Sequence, residues 1–320
     1  PDHHLLGANA LLAVSLAVAK AAAHTAELSL ARYFQPEGKL LIPMPMVNIL
    51  SGGAHANRTM DIQDVLVLPN GATSFAEALS WIVAIRELAA SKGAKSGAIT
   101  HLIADEGGLG IAFPTIDNAL EFVTNCITEV GLKPEKDVSL AIDVASTQFF
   151  DGTNYNLTAL GKEFSREEFV AFIAKMVSDH PILSIEDPFA EDDWQSWTQF
   201  MAKAPSKLQV LGDDLFTTNL GRLQRGIDEK SANAILIKAN QNGLVTSTQK
   251  VLTTAQANNF KTVVSARSGE TEDSWLADLA TGWRASQIKV GSTHGADRTA
   301  KWNRLLELEA TENCEFAKPF

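Results

Sequence analysis

Five charged side chains stand at or near the ends of apolar, strand-like runs from residue 139 onward. They are Asp143 in SLAIDVA (139–145), Glu186 in ILSIEDPF (182–189), Asp213 in LQVLGDD (208–214), Lys238 in ANAILIKAN (232–240) and Lys289 in SQIKVG (286–291). A charge placed where a buried strand ends is costly unless it is used. Three carboxylates followed by two lysines suggest a divalent metal facing a cationic base, an arrangement that takes a proton from carbon beside a carboxylate. Oxygen donors in that number favour Mg2+ over zinc or copper. Lys238 ends an apolar run, where desolvation and nearby metal charge are expected to lower its pKa and free a neutral amine as base. Lys289 is expected to stay protonated and hold a substrate carboxylate. One such acid alone more often caps the next helix, and one such lysine often only extends to solvent. The succession of all five is what favours chemistry.

Other signals are weaker. Asp105 and Glu106 end HLIADE and run into Gly107 and Gly108, a pair that lets backbone turn close to a ligand. Glu106 across from a lysine base suits a general acid protonating a leaving hydroxyl, and a solvated acid pair in a turn is the competing account. His55 in SGGAHAN is weak alone, since a loop histidine is more often simply packed. Arg267 and Ser268 end KTVVSARSGE before an expected helix start, a pocket for phosphate through guanidinium, hydroxyl and backbone N–H groups. A helix cap by Ser268 competes with that reading.

The elements that must position these residues alternate along the chain. IPMPMVNIL, IQDVLVLP and HLIADE read as strands, with SFAEALSWIVAIRELAASKG as a helix before the third. Helix TIDNALEFVTNCITEVG, strand VSLAIDVA and helix SREEFVAFIAKMVSDH follow, the last with capping-box spacing at Ser165 and Glu168. The rhythm continues to the end, with KTVVSAR as a further strand beside those already named. An eight-stranded closed α/β barrel with outer helices accounts for this better than an open doubly wound sheet, and such barrels do their chemistry at the C-terminal strand ends. Neither GxGxxG nor a P-loop occurs, which weakens nucleotide binding.

The 320 residues, 45% of them hydrophobic, can fill one large core with a smaller appendage. A formal charge of −11 disfavours nucleic acid or an anionic membrane as partner, so an anionic substrate requires local cations or metal. Cys126 and Cys314 lie far apart without CxxC spacing, which disfavours a disulfide framework or zinc and fits a cytoplasmic protein. The apolar stretch at 5–23 is interrupted by Asn9, Ser15 and Lys20 and reads as a helix packed on another domain, not a membrane span.

The motifs LGANALLAVSLAVAKAAA, SGGAHA, DEGG, SIEDPFAEDDW, GDDLFTTN, LIKANQNG, SARSGETED and QIKVG, in this order and spacing, resemble the enolase family over nearly the whole chain. The resemblance implies a (β/α)8-type TIM barrel in residues 39–320, with 1–38 as the last, helical part of a smaller N-terminal domain. It implies a hydro-lyase that dehydrates 2-phosphoglycerate to phosphoenolpyruvate. Asp143, Glu186 and Asp213 would bind Mg2+, Lys238 would take the C2 proton, Lys289 would help hold the carboxylate and Glu106 would protonate the C3 hydroxyl. Arg267 and Ser268 would hold the phosphate and His55 would close over it; a homodimer is also implied. Enolase-superfamily sites with a lysine or histidine base and Mg2+ are an established pattern.

The departures fall on one side of that site. Ala266 stands where the family has histidine, and Gln63-Asp64 where it has Gln-Glu, which shortens an acid that assists elimination. Arg58 adds a cation, and Leu109, Gly110, Ile111 and Ala112 replace Phe-Ala-Pro-Asn after DEGG. The serine-bearing loop expected to ligate a second Mg2+ has no counterpart in this sequence. These changes leave room for a divergent enzyme acting on a related phosphate or phosphonate, or for a non-catalytic homologue that binds. Retention of the clustered acids and lysines argues against the last.

Overall fold

Runs rich in Val, Ile and Leu, each four to eight residues long, form a closed eight-stranded barrel, shown by a computed structural model that describes residues 6–56 and 60–320. Helices α1 (Ala8–Thr25) and α2 (Leu30–Phe34) come first, then β1 (Leu40–Ile42), β2 (Met44–Ser51) and β3 (Asp64–Leu68). Helices α3 (Phe75–Lys95) and α4 (Ile116–Glu129) precede β4 (Ser139–Asp143). A small hairpin of β5 (Tyr155–Leu157) and β6 (Lys162–Phe164) leads to α5 (Arg166–Asp179) and β7 (Ile182–Glu186). There follow α6 (Trp194–Met201), β8 (Gln209–Gly212), α7 (Leu220–Glu229), β9 (Ala234–Ile237) and the short α8 (Ala239–Asn242). The chain closes with α9 (Val245–Ala257), β10 (Lys261–Ser265), α10 (Trp275–Gly282), β11 (Gln287–Gly291), α11 (Ala296–Thr311) and β12 (Cys314–Phe316).

Around the barrel the order is β10, β11, β2, β3, β4, β7, β8, β9. Strand β3 runs antiparallel to both neighbours, β2 and β4, while the other pairings are parallel. The cause is a direct return from β2 to β3 without a crossover helix, since only antiparallel strands can be joined so briefly. Its consequence is functional: the first residue of β3, Asp64, lies opposite Asp143, the last residue of β4.

HLIADE, expected as a strand, is not one. Strands β3 and β4 pair over five successive positions, which leaves no edge between them, and Leu102 is 64% exposed. Residues 101–106 instead form turns, with an isolated bridge from Ile103 to Leu109. The capping box at α5 is present as expected, Ser165 accepting from the Glu168 N–H.

Two apolar layers hold the fold. Met44, Met46, Leu66, Leu211 and Leu236 fill the barrel, and a larger layer joins the barrel's outside to its helices. Helix α1 buries Leu12, Leu16, Ala19 and Ala23 but leaves Val14 and Val18 facing outward.

Candidate functional site

A cavity of about 220 Å3 opens at the barrel mouth where β4, β8, β9 and β11 end. Lys289 points into it from β11, its Nζ donating to Asp143 Oδ2 at 2.8 Å and Glu186 Oε2 at 2.7 Å. Lys238, the residue after β9, donates its Nζ to Asp213 Oδ2. Asp213 Oδ1 also accepts from Gln241 at 3.2 Å. All five residues singled out from the strand ends are therefore brought together, the two ammonium groups seated among the three carboxylates.

The electrostatics follow from burial and crowding. Burial opposes the charge on Lys289, yet Asp143 and Glu186 outweigh it and hold the ammonium well above the usual lysine range. Burial and repulsion from Asp143 push Glu186 up, partly offset by Lys289. Burial likewise raises Asp143, but Lys289 outweighs it and the acid is held low. Lys238 departs from expectation: burial does lower its pKa, but Asp213 and Glu186 more than reverse this, and the net shift is upward.

A further pair of acids sits beside the expected ones. Asp187 accepts the N–H groups of Asp213 at 3.0 Å and Asp214 at 2.8 Å, and carboxylate oxygens of Asp187, Asp213 and Asp214 lie within 4.8 Å of one another. Burial, then the charges of Asp213 and Asp214, raise Asp187, and Asp214 is raised to about 6. Asp187 has φ +40° and Ala145 φ +50°, strained conformations that turn the chain sharply after β7 and β4. The donor set is oxygen throughout, buried and mutually repelling, which fits a hard divalent cation. Among the described residues Asp187, Asp213 and Asp214 bring carboxylate oxygens close enough to hold it, while Asp143 and Glu186 accept from Lys289. Asp213 cannot serve a cation and Lys238 fully at once.

The opposite wall is built from loops and the first residue of β3. Asp64 is fully buried, and its Oδ1 accepts from Asn48 Nδ2 at 2.5 Å and Ser51 Oγ at 3.1 Å. His55 Nδ1 lies 3.1 Å from Asp64 Oδ2, and His55 Nε2 lies 3.2 Å from Ser268 Oγ. Ser268 Oγ donates to Glu106 Oε1 at 3.2 Å. Burial alone would lower the His55 pKa, but the hydrogen bond and charge of Asp64, with Glu106, raise it to about 9. Asp64 is raised to about 6 by burial, with His55 pulling the other way.

The glycines after Glu106, expected to let backbone turn close to a ligand, make their close approaches to the protein itself. A Cβ on Gly107, whose φ is +83°, would come within 2.6 Å of the His294 carbonyl oxygen, and one on Gly108 within 2.4 Å of Ser51 Oγ. The replaced loop after DEGG hooks onto β2, with Leu109 N–H donating to the Ile49 carbonyl. Ser268 does not cap a helix: α10 begins at Trp275 after Ser274, so an anion at Ser268 would not rest on that helix end. Arg267 is exposed at the rim of the cavity, and Ala266 forms part of its wall. Arg58 lies outside the described residues.

Sequence reasoning missed several contributors. Asp187 and Asp214 adjoin Glu186 and Asp213, so the doubled acids of IED and GDD were their signal. Gln148 donates to Gln63 Oε1 at 2.6 Å, and Gln63 donates to Asp143 Oδ2 at 3.1 Å, a chain with no sequence signature. Arg298, 1% exposed on α11, donates to the carbonyls of Arg267 (2.7 Å), Ser268 (2.6 Å), Val290 (3.0 Å) and Asp105 (3.4 Å). One buried guanidinium thus joins the segments carrying Ser268, Glu106 and Lys289. Residues 39–317 match the family model described as the enolase C-terminal TIM barrel domain.

Proposed function

Because a match over that length makes the chain a member of the enolase superfamily, we propose that it is a Mg2+-dependent hydro-lyase acting on a small phosphorylated hydroxy acid of the 2-phosphoglycerate type. The observation that carries this reading is the convergence of Lys238 and Lys289 with Asp143, Glu186 and Asp213 at one barrel mouth, facing Glu106. A cavity of about 220 Å3 suits a substrate of a few carbons.

Lys238 abstracts the α-proton in its neutral form, which requires its release from Asp213. Lys289, protonated, sets a fixed positive charge beside the substrate carboxylate as negative charge develops there. Asp143, Glu186 and Asp213 would hold Mg2+, which when bound would supply further positive charge against the developing negative charge. Glu106 gives a proton to the departing β-hydroxyl from the other wall. Arg267 and Ser268, which line the cavity, would hold the phosphate.

The decisive measurement is conversion of 2-phosphoglycerate with Mg2+ and with EDTA, together with exchange of its α-proton in deuterated water. Metal-dependent exchange and enol-phosphate formation are expected. Absence of both while Mg2+ is bound overturns the proposal. A second reading, a related phosphate or phosphonate acid as substrate, is favoured by the alanine at 266 and by the engagement of Asp64 with His55. Exchange without elimination on 2-phosphoglycerate, and full turnover on a phosphono analogue, would select it.

A further inference from the structure

Four side chains, Asp64 at the start of β3 and three from loops, form one continuous hydrogen-bonded series that phosphate binding by Ser268 does not require. Asp64 bonds to His55, His55 Nε2 stands 3.2 Å from Ser268 Oγ, and Ser268 Oγ stands 3.2 Å from Glu106 Oε1. His55 Nε2 and Glu106 Oε1 are themselves 3.9 Å apart, too far for a direct hydrogen bond. The hydroxyl of Ser268 fills that gap. Asn48 and Ser51 fix Asp64 from behind, so the imidazole is aimed at Ser268.

The order Asp64, His55, Ser268 has the connectivity of a nucleophilic triad, and two features set it apart. In such a triad a neutral imidazole accepts the serine proton. Here Asp64 and Glu106 hold His55 at about 9 against the opposite pull of burial, so at neutral pH the ring is an imidazolium and a donor. The Ser268 hydroxyl meanwhile has Glu106 as its acceptor. Donation therefore runs from His55 to Ser268 to Glu106.

We propose that Ser268 relays a proton from His55 to Glu106 during loss of the leaving group, an inference that rests on the lyase reading above. Lys238 takes the α-proton from carbon. The β-carbon to oxygen bond breaks as Glu106 passes the relayed proton to the hydroxyl, and water departs. The Ser268 hydroxyl proton passes to Glu106 while the His55 Nε2 proton passes to Ser268 Oγ, so the serine ends unchanged. Neutral His55 regains a proton from solvent, which reaches its 12% exposed side chain. Lys238 releases the abstracted proton to solvent, so the sum is dehydration with no co-reactant. Alanine at 266 makes His55 the imidazole that lines the cavity among the described residues. The charged groups facing the series are Asp64 and Asp143 from β3 and β4, Glu106 from the α3–α4 connection, Lys289 from β11 and Arg267 beside Ser268.

The test compares Ser268→Ala and Ser268→Thr with the parent full chain, using 2-phosphoglycerate and Mg2+ in deuterated water. Both α-proton exchange and product formation are followed across pH. In Ser268→Ala the ratio of exchange to elimination is expected to rise by about tenfold or more, since assistance by a positioned acid is worth about 10²–10⁴. The pH dependence of kcat is expected to lose the limb set by His55. Ser268→Thr, which keeps a hydroxyl, is expected to bring the ratio back toward the parent. An equal fall in exchange and elimination would make Ser268 merely structural and overturn the relay. A higher KM at an unchanged ratio would assign Ser268 to the phosphate alone and overturn the relay as well. No exchange in the parent overturns the lyase reading and the relay together, whereas exchange in the parent with an unchanged ratio in Ser268→Ala overturns the relay alone.

Discussion

The two walls of the barrel mouth are held in place by different means. On one wall Asp143, Glu186 and Lys289 belong to strands, and register sets their spacing: Asp143 stands opposite Glu186, and Lys289 opposite Ser265. On the other wall His55, Glu106 and Ser268 lie outside the strands and depend on borrowed contacts. Ser292 N–H donates to the Glu106 carbonyl at 2.8 Å, and Arg298 ties the backbone of Ser268 to that of Asp105. The departures Ala266 and Leu109–Ala112 fall outside the strands, and Asp64 is the exception, held by β3 opposite Asp143. A wall set by register resists change because moving one residue disturbs a strand, whereas a wall assembled from loops can vary one contact at a time.

The strongest challenge to this contrast is Lys238→Ala. Loss of the base should lower both α-proton exchange and turnover by about 10³-fold or more, measured with 2-phosphoglycerate and Mg2+. Comparable activity in the variant would remove the strand-built wall from the chemistry. Lys289→Met probes the same wall through stability. It leaves Asp143 and Glu186 buried without their cation, and unfolding in denaturant without metal should show a loss of about 3–5 kcal/mol. Added Mg2+ should recover more stability in this variant than in the parent.

On the loop-built wall, Arg298→Lys keeps the charge but cannot span four carbonyls. We expect kcat to fall by about 10²-fold, as for a misplacement of about 1 Å, with the circular dichroism spectrum retained. Ala266→His should shift preference toward 2-phosphoglycerate by about tenfold, read as the ratio of kcat/KM values for it and a phosphono analogue.

The smallest effect concerns His55. Its folded pKa of about 9 lies above the ordinary 6.5, so its contribution to stability is fully present below pH 6.5 and is lost as pH rises through about 9. Asp64, raised to about 6, has the same sign at lower pH: deprotonation between about 4 and 6 costs folded-state stability. Replacing His55 by Gln should flatten the decline between pH 6.5 and 9 by on the order of 1 kcal/mol, a value reduced for solvent screening. Denaturant melts across that range would show it, and an unchanged slope would separate His55 from Asp64 energetically.

Much of the strand-built wall was legible without coordinates. Apolar runs ending in Asp143, Glu186, Asp213, Lys238 and Lys289 announce both the barrel and the residues at its mouth, because a buried strand does not carry charge at its end without reason. HLIADE was misread for a related reason: its apolar residues and position between helices imitate a strand, and only the direct pairing of β3 with β4 excludes it. Asp64 escaped the strand-end rule because β3 runs backwards and brings its first residue, not its last, to the mouth. Arg298 carried no signal, since a basic residue on an outer helix ordinarily faces water.

What the sequence determined by itself is the local and repetitive part: strand and helix periods, the α5 cap, the acids and lysines at strand ends, and the superfamily they spell out. What only the tertiary structure decided is which charges meet. The direction of the Lys238 shift depended on Asp213 and Glu186 lying close enough to outweigh burial. The link from Asp64 through His55 and Ser268 to Glu106 depended on residues up to 213 positions apart arriving within 3.2 Å. Such pairings arise from closure of the barrel and the packing of its loops, which no local pattern encodes.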